Sequence, residues 1–223
     1  MSTSIVTKLV LKDLYLCRAI IIGAVIAGLM ALAIAVTSRI GFAVGGIMFI
    51  SSIVTCGILV AAFSVMGERK DKSLLFALSL PISTAQYARA KLIAVLLGFL
   101  IPWVLLTGAA LICIVALDYM PKGMLVYALV IQGFFLALYC LFLAILLSAE
   151  SEGWMAVAII GLNLSISFFM MGLGALTSIP KNAQAATPVW STEVFTILSF
   201  EGAAVVLAFV LIFFFQSRKR DFV

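Results

Sequence analysis

The sequence predicts an all-α integral membrane protein with six transmembrane helices, and three observations carry that prediction. Hydrophobic residues make up 65% of the 223 and charged residues 10%, whereas a water-soluble domain carries about 25% charged residues. The apolar residues fall into six runs, each near the ~20 residues that a helix rising 1.5 Å per residue needs to cross a bilayer. The charged residues collect between those runs, above all in residues 68–91. Little chain is left for a soluble domain, so residues 1–223 are read as a single transmembrane domain.

Composition also removes function classes. There is no histidine, and with it go the commonest metal ligand and the commonest general base. Cys17, Cys56, Cys113 and Cys140 are widely spaced, the last three inside apolar runs, which suits small core residues better than disulfides or ligands. The chain has no G-x-x-x-x-G-K-[ST] phosphate cradle and no H-E-x-x-H motif. No catalytic residue and no metal site are assigned. An intramembrane enzyme would lack both histidine and a pair of membrane carboxylates.

In chain order, residues 1–18 alternate charged and apolar residues at helical spacing. Val6, Val10, Leu14 and Cys17 share one face, and Lys8 and Lys12 another. This reads as an interfacial helix lying on the membrane, its basic residues reaching the headgroups. Spans follow at about 19–37, 42–66, 92–117, 125–147, 154–176 and 194–215, with a tight turn at Ser38 and Arg39. In the first span Gly23, Ala27, Ala31 and Ala35 stand four apart on one face, where small side chains let helices approach closely. They form either a dimer seam or a packing face for another span of the same chain. Pro102 removes a backbone hydrogen bond from the third span and should kink it.

The basic residues orient the spans. Of fourteen Lys and Arg, eleven flank one set of span ends: Lys8, Lys12, Arg18, Arg69, Lys70, Lys72, Arg89, Lys91, Arg218, Lys219 and Arg220. Arg39, Lys122 and Lys181 flank the other. The positive-inside rule then makes both termini and residues 68–91 cytoplasmic. Tyr119 and Trp190 fall at outer ends and Trp154 at an inner one, as amphipathic rings do at membrane interfaces. The net charge of +5 is an orientation signal split over three membrane-flanking clusters, so no nucleic-acid partner is implied.

Few polar residues lie within the spans, and hydrocarbon cannot hydrogen-bond them. Asn163 and Ser167, four apart in the fifth span, give one polar stripe. Residues 173–200 are irregular, with Gly174, Pro180 and Pro188 before a mildly apolar stretch. Counting back about 20 residues from Ser217 sets the outer edge of the last span near Leu198 and Glu201 one turn inside it. Glu201 either meets an outer cavity used by substrate or marks the joint between a short re-entrant helix and the true last span, and the second reading is preferred. Asn163, Ser167 and Glu201 are the candidate path residues.

Residues 68–91 read as two pieces. Ser73 caps a short helix in which Leu74, Leu75, Phe76, Leu78 and Leu80 are apolar nearly all round. Pro81 ends it, and Ser83 with Gln86 fits a capping box that starts the next helix. An apolar knot in a basic loop is either a docking surface or a segment lying back on the membrane.

On these residues the chain resembles the membrane subunits of type-2 ATP-binding-cassette (ABC) transporters. The resemblance lies in the six-span layout, the Lys12–Leu16 lead-in KDLYL, Glu68-Arg69, Leu74-Leu75, the run Leu78-Ser79-Leu80-Pro81-Ile82-Ser83, and Lys91. Asp71 and Lys72 stand where the family often has glycine. The resemblance implies a permease of a bacterial cytoplasmic (inner) membrane, paired with a second permease copy (a homodimer or a close paralogue) and with two cytosolic ABC ATPase subunits that bind ATP and Mg. It implies no cofactor in this chain. It places a coupling helix at about 71–80, with Glu68, Arg69, Leu74, Leu75, Phe76, Leu78 and Pro81 as coupling residues, a connecting helix at 5–18 and re-entrant helices at 173–200. It implies export of a hydrophobic or amphipathic substrate such as a peptide, drug or lipid. The alternative is a membrane interaction or immunity protein that does not transport.

Overall fold

A computed structural model of the chain describes residues 2–66, 84–148 and 152–218. Among them there is no strand. The helices are α1 (Ser2–Ala35), α2 (Arg39–Ala61), α3 (Thr84–Ala116), α4 (Met124–Ser148), α5 (Glu152–Leu176), the single turn α6 (Ile179–Asn182) and α7 (Thr192–Arg218); a π-helical turn, Ala62–Met66, extends α2. Six of these, all but α6, are long and apolar enough to cross a membrane, which matches the six expected spans. Residues 67–83, which hold every expected coupling residue, lie outside the described residues.

The described chain forms two compact units, one up to Leu106 and one from Thr107 to Arg218. In the first, α1 and α2 are joined by three residues, a length that makes consecutive helices antiparallel neighbours. Ser38 starts α2 with extended backbone, and its hydroxyl accepts from the Gly41 N–H at 2.9 Å, satisfying one of the donors a helix start leaves over. Beyond the turn the two backbones come close at Gly45, where a Cβ would stand 2.5 Å from the Ala31 carbonyl oxygen and 2.8 Å from the Ala35 Cα. Ile53, Cys56 and Val60 of α2 and Val95, Phe99 and Leu106 of α3 are buried at helical spacing. Helix α3 runs on through the buried Pro102 without interruption.

One expectation is corrected here. Residues 2–18 are helical, but they are the first half of a single helix that continues to Ala35, not a separate interfacial element. The apolar face that was to meet the lipid boundary meets protein instead: Val10 packs with Ala90 and Ala94 of α3, and Val6, Leu9 and Leu14 gather round them. The small alanine side chains let α1 approach, so the face is covered by the chain itself.

The second unit is built on α4. Of its membrane-length window 61% is buried, against 17% for α5 and for α7, and both of these helices pack on it. Phe134 of α4 stacks on Phe169 of α5 with ring centroids 3.8 Å apart. At one end Lys122 donates to the carbonyls of Ile114, Val115 and Leu117 at 2.9 to 3.1 Å, closing α3 where a helix leaves its last carbonyls unpaired. At the same end the Gly123 N–H donates to Ala185 (2.9 Å), and Glu193 accepts from both the N–H and the hydroxyl of Ser178 (2.9 and 2.8 Å).

These contacts shape residues 173–200 differently from the expectation. Helix α5 runs to Leu176 through Gly172 and Gly174, a turn and the four-residue α6 follow, and α7 starts at Thr192. Between α5 and α7 the stretch holds one helix of its own, the single turn α6. Glu201 is no joint, since α7 passes through it unbroken from Thr192 to Arg218. The apolar length of a span sets a minimum for the helix and not its first residue. Here Glu193, accepting from Ser178, holds the helix start six residues before Leu198.

Candidate functional site

Six polar side chains are buried among the described residues: Asp13, Ser64, Lys91, Thr107, Gln132 and Glu201. A buried polar group in an apolar span is costly unless it is paired, so these six are where function is to be sought. They fall into three groups.

The first joins three elements of the first unit. The Asp13 carboxylate on α1 accepts from the Lys91 ammonium on α3 at 2.9 Å, and the Ser64 hydroxyl of the π-helical turn donates to the same oxygen at 3.4 Å. The other carboxylate oxygen lies 3.4 Å from the half-exposed Lys12. Asp13 and Lys91 retain only 8% and 6% of their exposure. The second group is a pair: Thr107 donates to the Gln132 side-chain carbonyl at 3.2 Å, linking α3 to α4 within the second unit.

The third is Glu201 alone. It is 8% exposed, its carboxylate lies against Gly133 of α4, and neither oxygen has a hydrogen-bond partner among the described residues. Gly133 supplies the space by having no side chain.

The other candidate path residues are elsewhere. Asn163 and Ser167 are exposed on α5 and bond back to their own helix, Asn163 to the Ile159 carbonyl (2.9 Å) and Ser167 to the Asn163 carbonyl (3.1 Å). They do form one stripe. Glu201 is not part of it, because it faces α4 from α7.

The ladder of small residues on α1 is divided. Ala31 and Ala35 are buried against Gly45 of α2, so this half is a packing face within the chain and not a dimer seam. Gly23 and Ala27 are exposed and line a groove of about 490 Å³ between α1 and α2, whose other wall carries Ser51, Ser52 and Thr55. All four cysteines are free thiols.

A family model described as ABC-2 family transporter protein matches residues 8–219. The chain belongs to that family. Searches of curated proteins and of solved structures return no match. As an ABC-2 membrane subunit with six membrane-length helices, the chain is a multi-pass membrane protein, a transporter component and not itself a catalyst. Membership also implies a partnership with ABC ATPase subunits.

Within this ABC-2 permease the Asp13–Lys91 pair was not expected from the sequence, although a signal was present. Asp13 is three residues from Val10 and four from Cys17, which puts an acid on the apolar face of its helix. Lys91 is four residues before Val95 and seven before Gly98, which puts a base on the buried face of α3. A charge on an apolar face calls for a partner of opposite sign. The coupling residues Glu68, Arg69, Leu74, Leu75, Phe76, Leu78 and Pro81 all lie outside the described residues.

Proposed function

We propose that this chain is the permease subunit of an ATP-driven exporter. It forms the path for a hydrophobic or amphipathic substrate, works with a second permease copy and two ABC ATPase subunits that bind ATP and Mg, and receives their movement through a coupling helix at 71–80. Residues 1–223 act as one permease domain in a bacterial cytoplasmic membrane with both termini inside. The observation that carries this reading is the family match across residues 8–219. The charge distribution supports the orientation, with eleven of fourteen basic residues on one set of span ends.

The first unit supports it as well. Asp13 near the start of α1, Ser64 just past α2 and Lys91 near the start of α3 meet in one place, as they must if the spans alternate and residues 67–83 leave and return at one membrane face. Asn163, Ser167 and Glu201 are proposed as path residues, Asn163 and Ser167 from an exposed face of α5 and Glu201 from α7, beside Gly133 of α4.

The test is co-expression with a candidate partner ABC ATPase. The permease is expected to copurify with the ATPase from detergent-solubilised membranes and to stimulate its ATP hydrolysis. A chain that neither binds nor stimulates the ATPase contradicts the proposal and leaves a membrane protein that does not transport.

A further inference from the structure

The Asp13 carboxylate touches the two described elements that flank residues 67–83 in the sequence. Ser64 lies in the last described element before residues 67–83, and Lys91 in the first helix after them. Both donate to the same oxygen of Asp13, Oδ2. We propose that Asp13 is a positioning residue for coupling: it clasps the two feet of the 67–83 connection to α1, so that a displacement of the connection moves the ends of α1, α2 and α3 together. This rests on the coupling role proposed above for that connection.

Four considerations point to a clasp and not to a stabilising contact. Burying two charges removes their hydration, and well-packed apolar residues of similar volume often serve stability as well or better. A pair of this kind fixes a register, because one carboxylate oxygen accepts only along a few directions and both donors are directed at it. Lysine near a helix end ordinarily extends its stem and places the ammonium among headgroups or water. Lys91 instead keeps its ammonium 2.9 Å from Asp13 at 6% exposure. The third member comes from a π-helical turn, a local widening that is often found at functional positions in helices.

In α1 this converts a long helix into a lever. The 34 residues from Ser2 to Ala35 are one uninterrupted helix, about 50 Å at 1.5 Å per residue. Its far half is packed on α2 at Gly45. Movement delivered at Asp13 therefore reaches the opposite end of the α1–α2 pair without a hinge between.

The experiment uses the permease copurified with its ATPase, with three readouts: copurification, thermal unfolding of the complex, and the stimulation of ATP hydrolysis by the permease. Asp13→Asn and Lys91→Met each remove the charge pair, and the exchange D13K/K91D restores it with the signs reversed. Both single variants are expected to copurify and to lose stimulation about ten-fold, within the usual range of coupling between sites, and the exchange variant is expected to recover most of it. Stimulation within two-fold of wild type in Asp13→Asn overturns the proposal. If the single variants unfold, the exchange variant decides: stability regained together with stimulation supports the clasp, and stability regained without stimulation reduces the pair to packing. Failure of the coupling role itself is distinguishable, because Phe76→Asp would then leave copurification and stimulation intact whatever Asp13 does.

Discussion

The Glu201 carboxylate occupies the space that a side chain at Gly133 would fill. Helices α4 and α7 thus meet through an acid on one and the absence of a side chain on the other, at the most buried helix of the second unit. Adding a methyl by Gly133→Ala forces the carboxylate away, and because the displaced atom is the end of a flexible side chain the loss of stability is expected at the low end of overpacking, about 1 kcal/mol. Thermal unfolding in detergent measures it. Gly133→Ala combined with Glu201→Ala is expected to recover part of the loss, since residues in contact are not additive.

Glu201→Gln keeps the size of the side chain and removes its charge. Export of a fluorescent amphipathic dye from loaded vesicles is expected to change several-fold, while copurification with the ATPase stays at the wild-type level. Unchanged export would make Glu201 a packing residue only. The expectation follows from burial without a hydrogen-bond partner among the described residues, within an apolar span where ionisable groups are rare and usually functional.

Gly45 is a point of close backbone approach between α1 and α2, with backbone atoms of Ala31 and Ala35 on its open side. Backbone cannot rotate away as a side chain can. Gly45→Val is therefore expected near the upper end of the overpacking range, about 3 kcal/mol, and Gly23→Val, where a Cβ meets nothing within 4 Å, is expected to leave stability unchanged. Unfolding midpoints of the two variants provide the comparison.

Lys122 closes the end of α3 through three carbonyls. Lys122→Met keeps the stem and removes the donors, and a loss of about 1–2 kcal/mol is expected from the unpaired helix end. Hydrogen exchange is expected to quicken at Leu117 and Met120, whose N–H groups bond within this end, and to stay slow in the middle of α3.

Much of this fold was legible from sequence because membrane crossing imposes a length. Apolar runs of about 20 residues marked all six helices, and α2, α4 and α5 begin and end within a few residues of the expected limits. The last run, expected from about 194, also starts close to its limit, but the outer edge set near Leu198 falls inside α7, whose first turn holds Glu193 accepting from Ser178, a tertiary contact that no run length reports. For the same reason residues 2–18 read as an independent amphipathic helix: their periodicity reveals an apolar face, and only the structure supplies Ala90 and Ala94 as what covers it.

The polar groups divide along the same line. Glu201 stood out because a charge inside an apolar run is visible by itself, but its neighbour Gly133 did not, since a glycine in a span has many uses. Asp13 and Lys91 are 78 residues apart in sequence, and each alone passes for an ordinary interfacial charge. Lys91 is one of the basic residues that orient the spans, and the structure gives it a second use, as half of a buried pair.

In the proposed mode of coupling a partner ATPase grips residues 71–80 of this permease. The most direct measurement is copurification and stimulated ATP hydrolysis with Phe76→Asp, which sets a charge in the middle of the apolar run from Leu74 to Leu80. Loss of both, with the variant permease still folded in the membrane by its unfolding midpoint, is the result expected. Wild-type levels of both would contradict the assignment of the coupling helix.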